Sequence, residues 1–159
     1  MAASIEDIER LYRERFHVFR DGLASVGGSH EAAREAVQEA FARALRDRRK
    51  FRGDGSLEAW VWRIAVNHAL KGRRDLRERW ELDPETPAIE RPAADDDVRD
   101  AVLALPPRRK LVVFLRYFAD LPYGEIARIC GVSEGTVAAT LSQSHAELLE
   151  QLRPKGAST

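Results

Sequence analysis

Arg63, Asn67, Lys71 and Arg74 recur at intervals of four, four and three, which on an α-helix would stack cationic and amide groups along one side. Trp60 stands one turn earlier. A line of such groups beginning at an aromatic ring suits following a phosphate backbone, touching base edges or stacking on an unpaired base. The competing reading is a solvated charged face with Trp60 and Trp62 turned inward, and for either tryptophan taken alone the core is the better assignment. Just before this segment runs KFRGDGSLEAW, residues 50–60. Gly53 and Gly55 bracket Asp54 in a loop whose backbone can approach a ligand closely, with Lys50 and Arg52 flanking it. The order GxxxxGK[ST] of a nucleotide phosphate loop is missing, and no strand precedes it.

A second constellation lies at YGEIARICGVSEGTVAATLS, residues 123–142. Ala127 permits close helix crossing, Gly131 can take the positive φ that ends a helix, and Ile126, Ile129, Val132, Val137 and Leu141 form an apolar seam. Ser133 is placed to cap the next helix, with Glu134 in its first turn. This is the pattern of a helix-turn-helix, a unit that commonly touches DNA; an ordinary αα-hairpin would share it.

Nothing in the chain arranges a catalytic set. His17, His30, His68 and His145 have no ligand spacing with Cys130, and no Ser, His and Asp group is suggested, so neither a metal nor another cofactor is expected. Cys130, at an apolar helix position, reads as a small buried hydrophobe. The 159 residues, 44% hydrophobic and 33% charged, describe a globular chain of one medium or two small domains. A single cysteine suits a reducing compartment, and neither a signal peptide nor a bilayer-length apolar run is present, so a cytoplasmic protein without membrane insertion is expected.

The formal net charge of zero conceals opposed blocks. Residues 43–80 hold 12 Lys and Arg against 5 acids, whereas residues 81–100 hold 8 acids against 2 Arg. Different segments therefore suit different partners. The acidic stretch carries Pro84, Pro87 and Pro92, which prevent helix while the acids keep it solvated. It reads as a flexible linker over 81–96 between helical units at 4–80 and 97–153, giving an all-α chain of two small domains.

The elements that must position these groups follow from apolar spacing. Ile5, Ile8, Leu11, Tyr12, Phe16 and Phe19 mark one stripe, opened by Ser4 with Asp7 three residues on; Ala33, Val37, Ala40, Phe41, Ala44 and Leu45 mark another. Leu57, Val61, Ile64, Ala65 and His68 mark a third, opened by Ser56. Val98, Val102 and Leu105 belong to a short helix and residues 111–118 to a further one. No segment alternates as a half-buried strand would.

VQEAFARAL at 37–45, FRGDGSLEAWVWRIAVNHAL at 51–70 and LPPRRKLVVFLRYFADLPYGEIARICGVSEGTV at 105–137 together resemble the extracytoplasmic-function group of bacterial sigma factors. The resemblance spans about residues 5–80 and 98–152. It implies that Glu35, Gln38, Glu39 and Phe41 dock on the clamp helices of the RNA polymerase large subunit. It implies further that the loop with Lys50, Phe51, Arg52, Gly53, Asp54 and Ser56 captures a base flipped from the minus-10 element. The helix with Trp60, Arg63, Asn67, Lys71 and Arg74 would support promoter melting. The linker would thread polymerase channels. The helix-turn-helix would read the minus-35 element near the polymerase flap, through Arg108, Arg109, Ser133, Glu134, Thr136, Ala139, Thr140, Gln143 and Ser144. An anti-sigma factor commonly controls members of this group.

The chain departs from the family pattern in its recognition helix. Between Ser133 and Leu152 there are 3 acids and no Lys or Arg, so phosphate attraction there is weak. Lys71 and Gly72 replace a frequent Asp and Arg pair, and Gly72, costing roughly 1 kcal/mol of helix propensity, suits a helix end. Besides a sigma factor, two readings stay open: a degenerate relative acting through protein contacts with polymerase or a regulator, and a free-standing helix-turn-helix repressor. An enzyme is the least favoured.

Overall fold

Ser4, Ser29, Ser56 and Ser133 each turn the chain into a helix. In each case the hydroxyl accepts a hydrogen bond from the backbone N–H three residues on, at 3.0–3.1 Å, satisfying a donor that the first helical turn leaves without a partner. The computed structural model describes residues 2–27, 29–81 and 97–153, and among these the regular structure is entirely helical. The helices are α1 (Ile5–Gly27), α2 (His30–Arg46), α3 (Leu57–Leu70), α4 (Arg74–Trp80), α5 (Asp97–Leu103), α6 (Pro107–Tyr117), α7 (Tyr123–Cys130) and α8 (Glu134–Gln151), with a 3-10 turn at Arg48–Lys50. The all-α expectation holds; the prolines of the expected linker lie outside the described residues.

α1, α2 and α3 close around an aromatic stack. Phe19 lies flat on Trp62 with ring centroids 4.3 Å apart and meets Phe41 edge-on at 5.2 Å, while Tyr12 reaches Phe41 from the other side at 5.1 Å. Phe19, Val37, Ala40, Val61, Trp62 and Ala65 are completely or almost completely buried. The same buried core continues through α6, α7 and α8 with Leu111, Leu115, Ile126, Ile129, Val137 and Leu141. Gly131 ends α7 at φ 69°, ψ 34°, the left-handed conformation that the sequence called for. Cys130 is buried beside it, and burial pushes its thiol up to about 12.

The two helical groups also pack on each other, α6 against α1 and α7 against α3. Gly22 makes this approach feasible: a Cβ there would stand 2.6 Å from Trp62 Cη2 and 2.8 Å from Phe114 Cε1. Phe114 of α6 thus meets Trp62 across the seam, edge to face at 6.3 Å. Arg15 Nη2 donates both to Glu58 and to the carbonyl of Ala119. Among the described residues, no helix is long and apolar enough to cross a membrane.

Candidate nucleic-acid interface

The loop between α2 and α3 is tight, aromatic and basic. After the 3-10 turn the chain passes Phe51, and Gly53 adopts φ 81°, where an L side chain would be strained. Phe51 and Trp60 pack at a centroid distance of 5.5 Å, each half-buried, so they form a wall that rests on the core and still reaches the surface. Lys50, Arg52 and Arg63 stand exposed around that wall, and these groups line a cavity of about 270 Å³. That volume lies just below the ~300 Å³ at which ligand pockets begin. Asp54 and Ser56, also exposed, lie on the rim, and Glu125 and Arg128 of α7 wall the rest of it.

Asn67 lies exposed one turn beyond Arg63, and there the expected row of four ends. α3 stops at Leu70; Lys71 is extended at φ −68°, ψ 127°, and Gly72 takes φ 76°. Lys71 and Arg74 are exposed but belong to the turn and to α4, where Arg74 pairs with Glu78 at 3.0 Å. The stack is corrected to Arg63 and Asn67. Helical spacing cannot carry across a left-handed glycine.

On α2, Glu35, Gln38 and Glu39 are exposed, whereas Phe41 is only 4% exposed and belongs to the aromatic stack. Its expected role as a docking contact is corrected: it floors a groove of about 390 Å³ whose accessible walls include Tyr12, Gln38 and Leu45. Tyr12 and Leu45 carry an apolar-stripe signal in the sequence, but spacing alone does not distinguish a groove wall from a core side chain.

The helix-turn-helix divides its residues less favourably than expected. Ser133, Glu134 and Ala139 are exposed, and Thr136 and Gln143 are half-exposed. Thr140 and Ser144, however, are buried, the Ser144 hydroxyl donating to the Thr140 carbonyl at 2.7 Å. Their places as base contacts are corrected, because they continue the Val137 and Leu141 stripe against α6. Ala138 and Ser142 lie on the outward side instead. At the start of α6, Arg108 is half-exposed, but the Arg109 side chain is 1% exposed and pairs with Glu147 at 2.8 Å. A guanidinium so enclosed cannot meet a phosphate, so Arg109 is withdrawn from the DNA-facing set. Among the described residues no cluster of His, Cys, Asp or Glu is suited to hold a metal ion.

Residues 10–79 match sigma-70 region 2, and residues 95–148 match sigma-70 region 4. RNA polymerase sigma factor SigV of Bacillus subtilis is 30% identical over 118 residues, covering 71% of each chain. The chain belongs to the extracytoplasmic-function group of sigma-70-type RNA polymerase sigma factors. Sigma factor YlaC of the same organism is 28% identical over 160 residues, 92% of each chain, and the sigma-E factor of Escherichia coli is 29% identical over 140 residues, 76% of this chain and 73% of that one. The fold is shared with RpoE from Bartonella quintana, solved with the anti-sigma factor NepR, at TM-score 0.71 and 23% identity over 95% of this chain and 99% of that one. CnrH, solved with the cytosolic domain of CnrY, gives TM-score 0.67 at 19% identity over 94% and 90%.

In this sigma factor, sequence reasoning missed what faces the basic loop. Ser56 N–H donates to Glu125 Oε1 at 2.6 Å and its hydroxyl to Oε2 at 3.1 Å, while Arg128 donates to the Asp54 carbonyl. Residues 69 to 74 positions apart leave no periodic trace of such a meeting.

Proposed function

We propose that this sigma factor divides its work between two units, residues 4–80 and 97–153, joined by the segment 81–96. The first docks on core RNA polymerase through the exposed side of α2, with Glu35, Gln38 and Glu39, and holds the melted minus-10 strand at the loop 51–56. The observation that carries this reading is the cavity in which Phe51 and Trp60 stand among Lys50, Arg52 and Arg63. Aromatic faces take an unstacked base, each worth about 1–3 kcal/mol, and the cations hold its phosphates. Flipping a base costs roughly a few kcal/mol, so the wall and one or two cations offset it without any hydrolysis. No catalytic step is assigned to the chain, and it acts where polymerase does, in the cytoplasm.

The second unit reads the minus-35 element through the outward side of α8, with Ser133, Thr136, Ala139 and Gln143. A second reading, in which promoter recognition upstream is weak and protein contacts dominate, is favoured by that same side: Ala138, Ala139 and Ser142 offer little to phosphate or base. RpoE was solved with the anti-sigma factor NepR and CnrH with the cytosolic domain of CnrY, which supports a regulatory protein partner here.

Run-off transcription with purified core polymerase over a genomic fragment library tests the proposal. Transcripts should start at a limited set of promoters. With Arg63→Ala/Asn67→Ala, permanganate reactivity of the melted region should fall by more than polymerase binding does. Unchanged permanganate footprints would refute the assignment of α3, and transcripts lacking any shared upstream element would favour the second reading.

A further inference from the structure

His145 is the only side chain between Ser133 and Leu152 that can carry a positive charge, because that stretch holds 3 acids and no Lys or Arg. It is exposed, and with Ala138 and Ser142 it falls at intervals of four and three, on the side of α8 turned away from the core. It lies about three turns beyond Glu134, the first residue of α8, or roughly 16 Å along the axis at about 1.5 Å per residue. A major groove is about 12 Å wide. A recognition helix whose first turn sits among base edges therefore brings His145 level with the flanking phosphates. The Tyr117 hydroxyl of α6 shares a hydrogen bond with His145 Nε2, the two rings lying 5.6 Å apart at 43°. A phenol donates to the neutral imidazole and accepts from the charged one, so this contact holds the ring in both forms without cancelling its charge. No acid competes for it. One turn away on α8 stand Leu141, Ser142, Leu148 and Leu149, and Glu147 is taken by Arg109. From α6, Arg116 turns to the Tyr123 ring and the Leu121 carbonyl, while Arg108 and Lys110 stand with Arg109 at the other end of the helix. From α7, Glu125 and Arg128 turn to the α2–α3 loop; α5 offers Asp100, half-buried. Among the described residues Tyr117 alone bonds the imidazole.

We propose that His145, when protonated, is the phosphate contact of the recognition helix, so that upstream binding strengthens as the pH falls. This rests on the reading that the outward side of α8 meets the minus-35 duplex. Histidine is the side chain whose charge ordinarily changes between about pH 5 and 8. With the ring neutral, α8 carries acids alone and repels a phosphate. With the ring charged, Nε2–H donates to Tyr117 and Nδ1–H is left to donate a charge-assisted hydrogen bond to a phosphate oxygen. Each phosphate neutralised releases condensed counterions and steepens the fall of log affinity with log salt by about 0.9, a gain of up to about eightfold at about 0.1 M salt. Lysine and arginine stay charged across that range of pH, so the cations of the α2–α3 loop do not share the dependence. His17, His30 and His68 lie on α1, α2 and α3, and variants at His145 separate its titration from theirs.

The test uses holoenzyme made from core polymerase and the full chain, as wild type, His145→Gln or His145→Lys; the residue is exposed, so neither change threatens the fold. Each holoenzyme is titrated by anisotropy against a fluorescein-labelled duplex carrying a promoter recovered by run-off transcription, across a range of salt at about pH 6 and about pH 8. From the higher to the lower pH the wild-type slope should steepen by up to about 0.9 more than that of His145→Gln, and His145→Lys should hold the steeper slope at both. Wild type and His145→Gln with equal slopes at each pH, beside a steep His145→Lys, overturn the inference and leave the minus-35 reading standing. A His145→Lys slope equal to that of His145→Gln also overturns it, because a permanent cation at that place then meets no phosphate. Where a hydroxyl-radical footprint upstream of the melted region is missing from all three as well, α8 does not meet the duplex, and the minus-35 reading falls with it.

Discussion

Phe41→Ala separates folding from docking on the α1–α2 face. The side chain is 4% exposed, with the Tyr12 and Phe19 rings 5.1 and 5.2 Å away. Truncation removes a ring from a packed interior and breaks two edge-on pairs. Phe→Ala changes of this type cost about 3–5 kcal/mol, set against a total stability of about 5–15 kcal/mol for a folded domain. For a chain of this length each kcal/mol shifts Tm by about 2–4 °C, so the midpoint should drop by about 6–20 °C. Gln38→Ala/Glu39→Ala removes exposed groups from the same helix, and each such change alters stability by no more than about 0.5 kcal/mol. Thermal unfolding followed by circular dichroism, together with co-purification on core polymerase below both midpoints, gives the comparison. The double variant should lose polymerase while melting like the wild type; Phe41→Ala should lose stability first and polymerase only in proportion to its unfolded fraction. A Phe41→Ala protein that melts with the wild type would refute its place in the core. A double variant that binds polymerase normally would refute this face as the docking surface.

Arg109→Ala should lower stability by about 2–3 kcal/mol, short of the ~3–5 kcal/mol for a wholly buried pair because Glu147 keeps about a quarter of its exposure. The slope of DNA affinity against salt should not change, and a slope reduced by about one would restore Arg109 as a phosphate contact. Cys130 should resist alkylation at pH 8 in the native protein and react only on unfolding, since burial holds its thiol up to about 12. With the folded value above the unfolded one, this group's contribution to stability is complete below about pH 9 and is lost as pH rises toward about 12. Rapid native alkylation at pH 8, read by mass spectrometry, would contradict its burial.

What was legible in the sequence was local. Ser4, Ser56 and Ser133 announce helix starts because an N-cap needs only a short acceptor side chain and an N–H three residues away, and Gly131 announces a stop because few residues other than glycine take its φ readily. The aromatic and cationic groups of residues 50–63 were visible for the same reason: they lie within a few turns of one another. Thr140 and Ser144 misled because small polar residues can occupy a core stripe when a hydroxyl bonds back to its own helix, as Ser144 does to the Thr140 carbonyl. Arg109 misled because its partner, Glu147, lies on another helix far along the chain. Lys71 and Arg74 misled because a row inferred from spacing assumes an unbroken helix, and Gly72 breaks it.

The charge map explains why a protein of zero formal charge can still be built for DNA. Residues 43–80 hold 12 Lys and Arg against 5 acids, and the α8 side chains carry no Lys or Arg, so the local excess of positive charge lies on the first unit and not on the recognition helix. If both units were basic, each would bind duplex DNA alone, and the chain would be retained at non-specific sites without polymerase. On the proposed reading, concentrating that excess on the unit assigned to the minus-10 strand keeps the strong electrostatic term where that strand would be held. On the same reading a recognition helix without Lys or Arg contributes shape and a few weak polar contacts, and polymerase supplies the tether. Engineered cations at Ala138 and Ser142 should therefore raise affinity for any duplex more than they raise discrimination between promoters, because phosphate contacts position a protein without reading sequence.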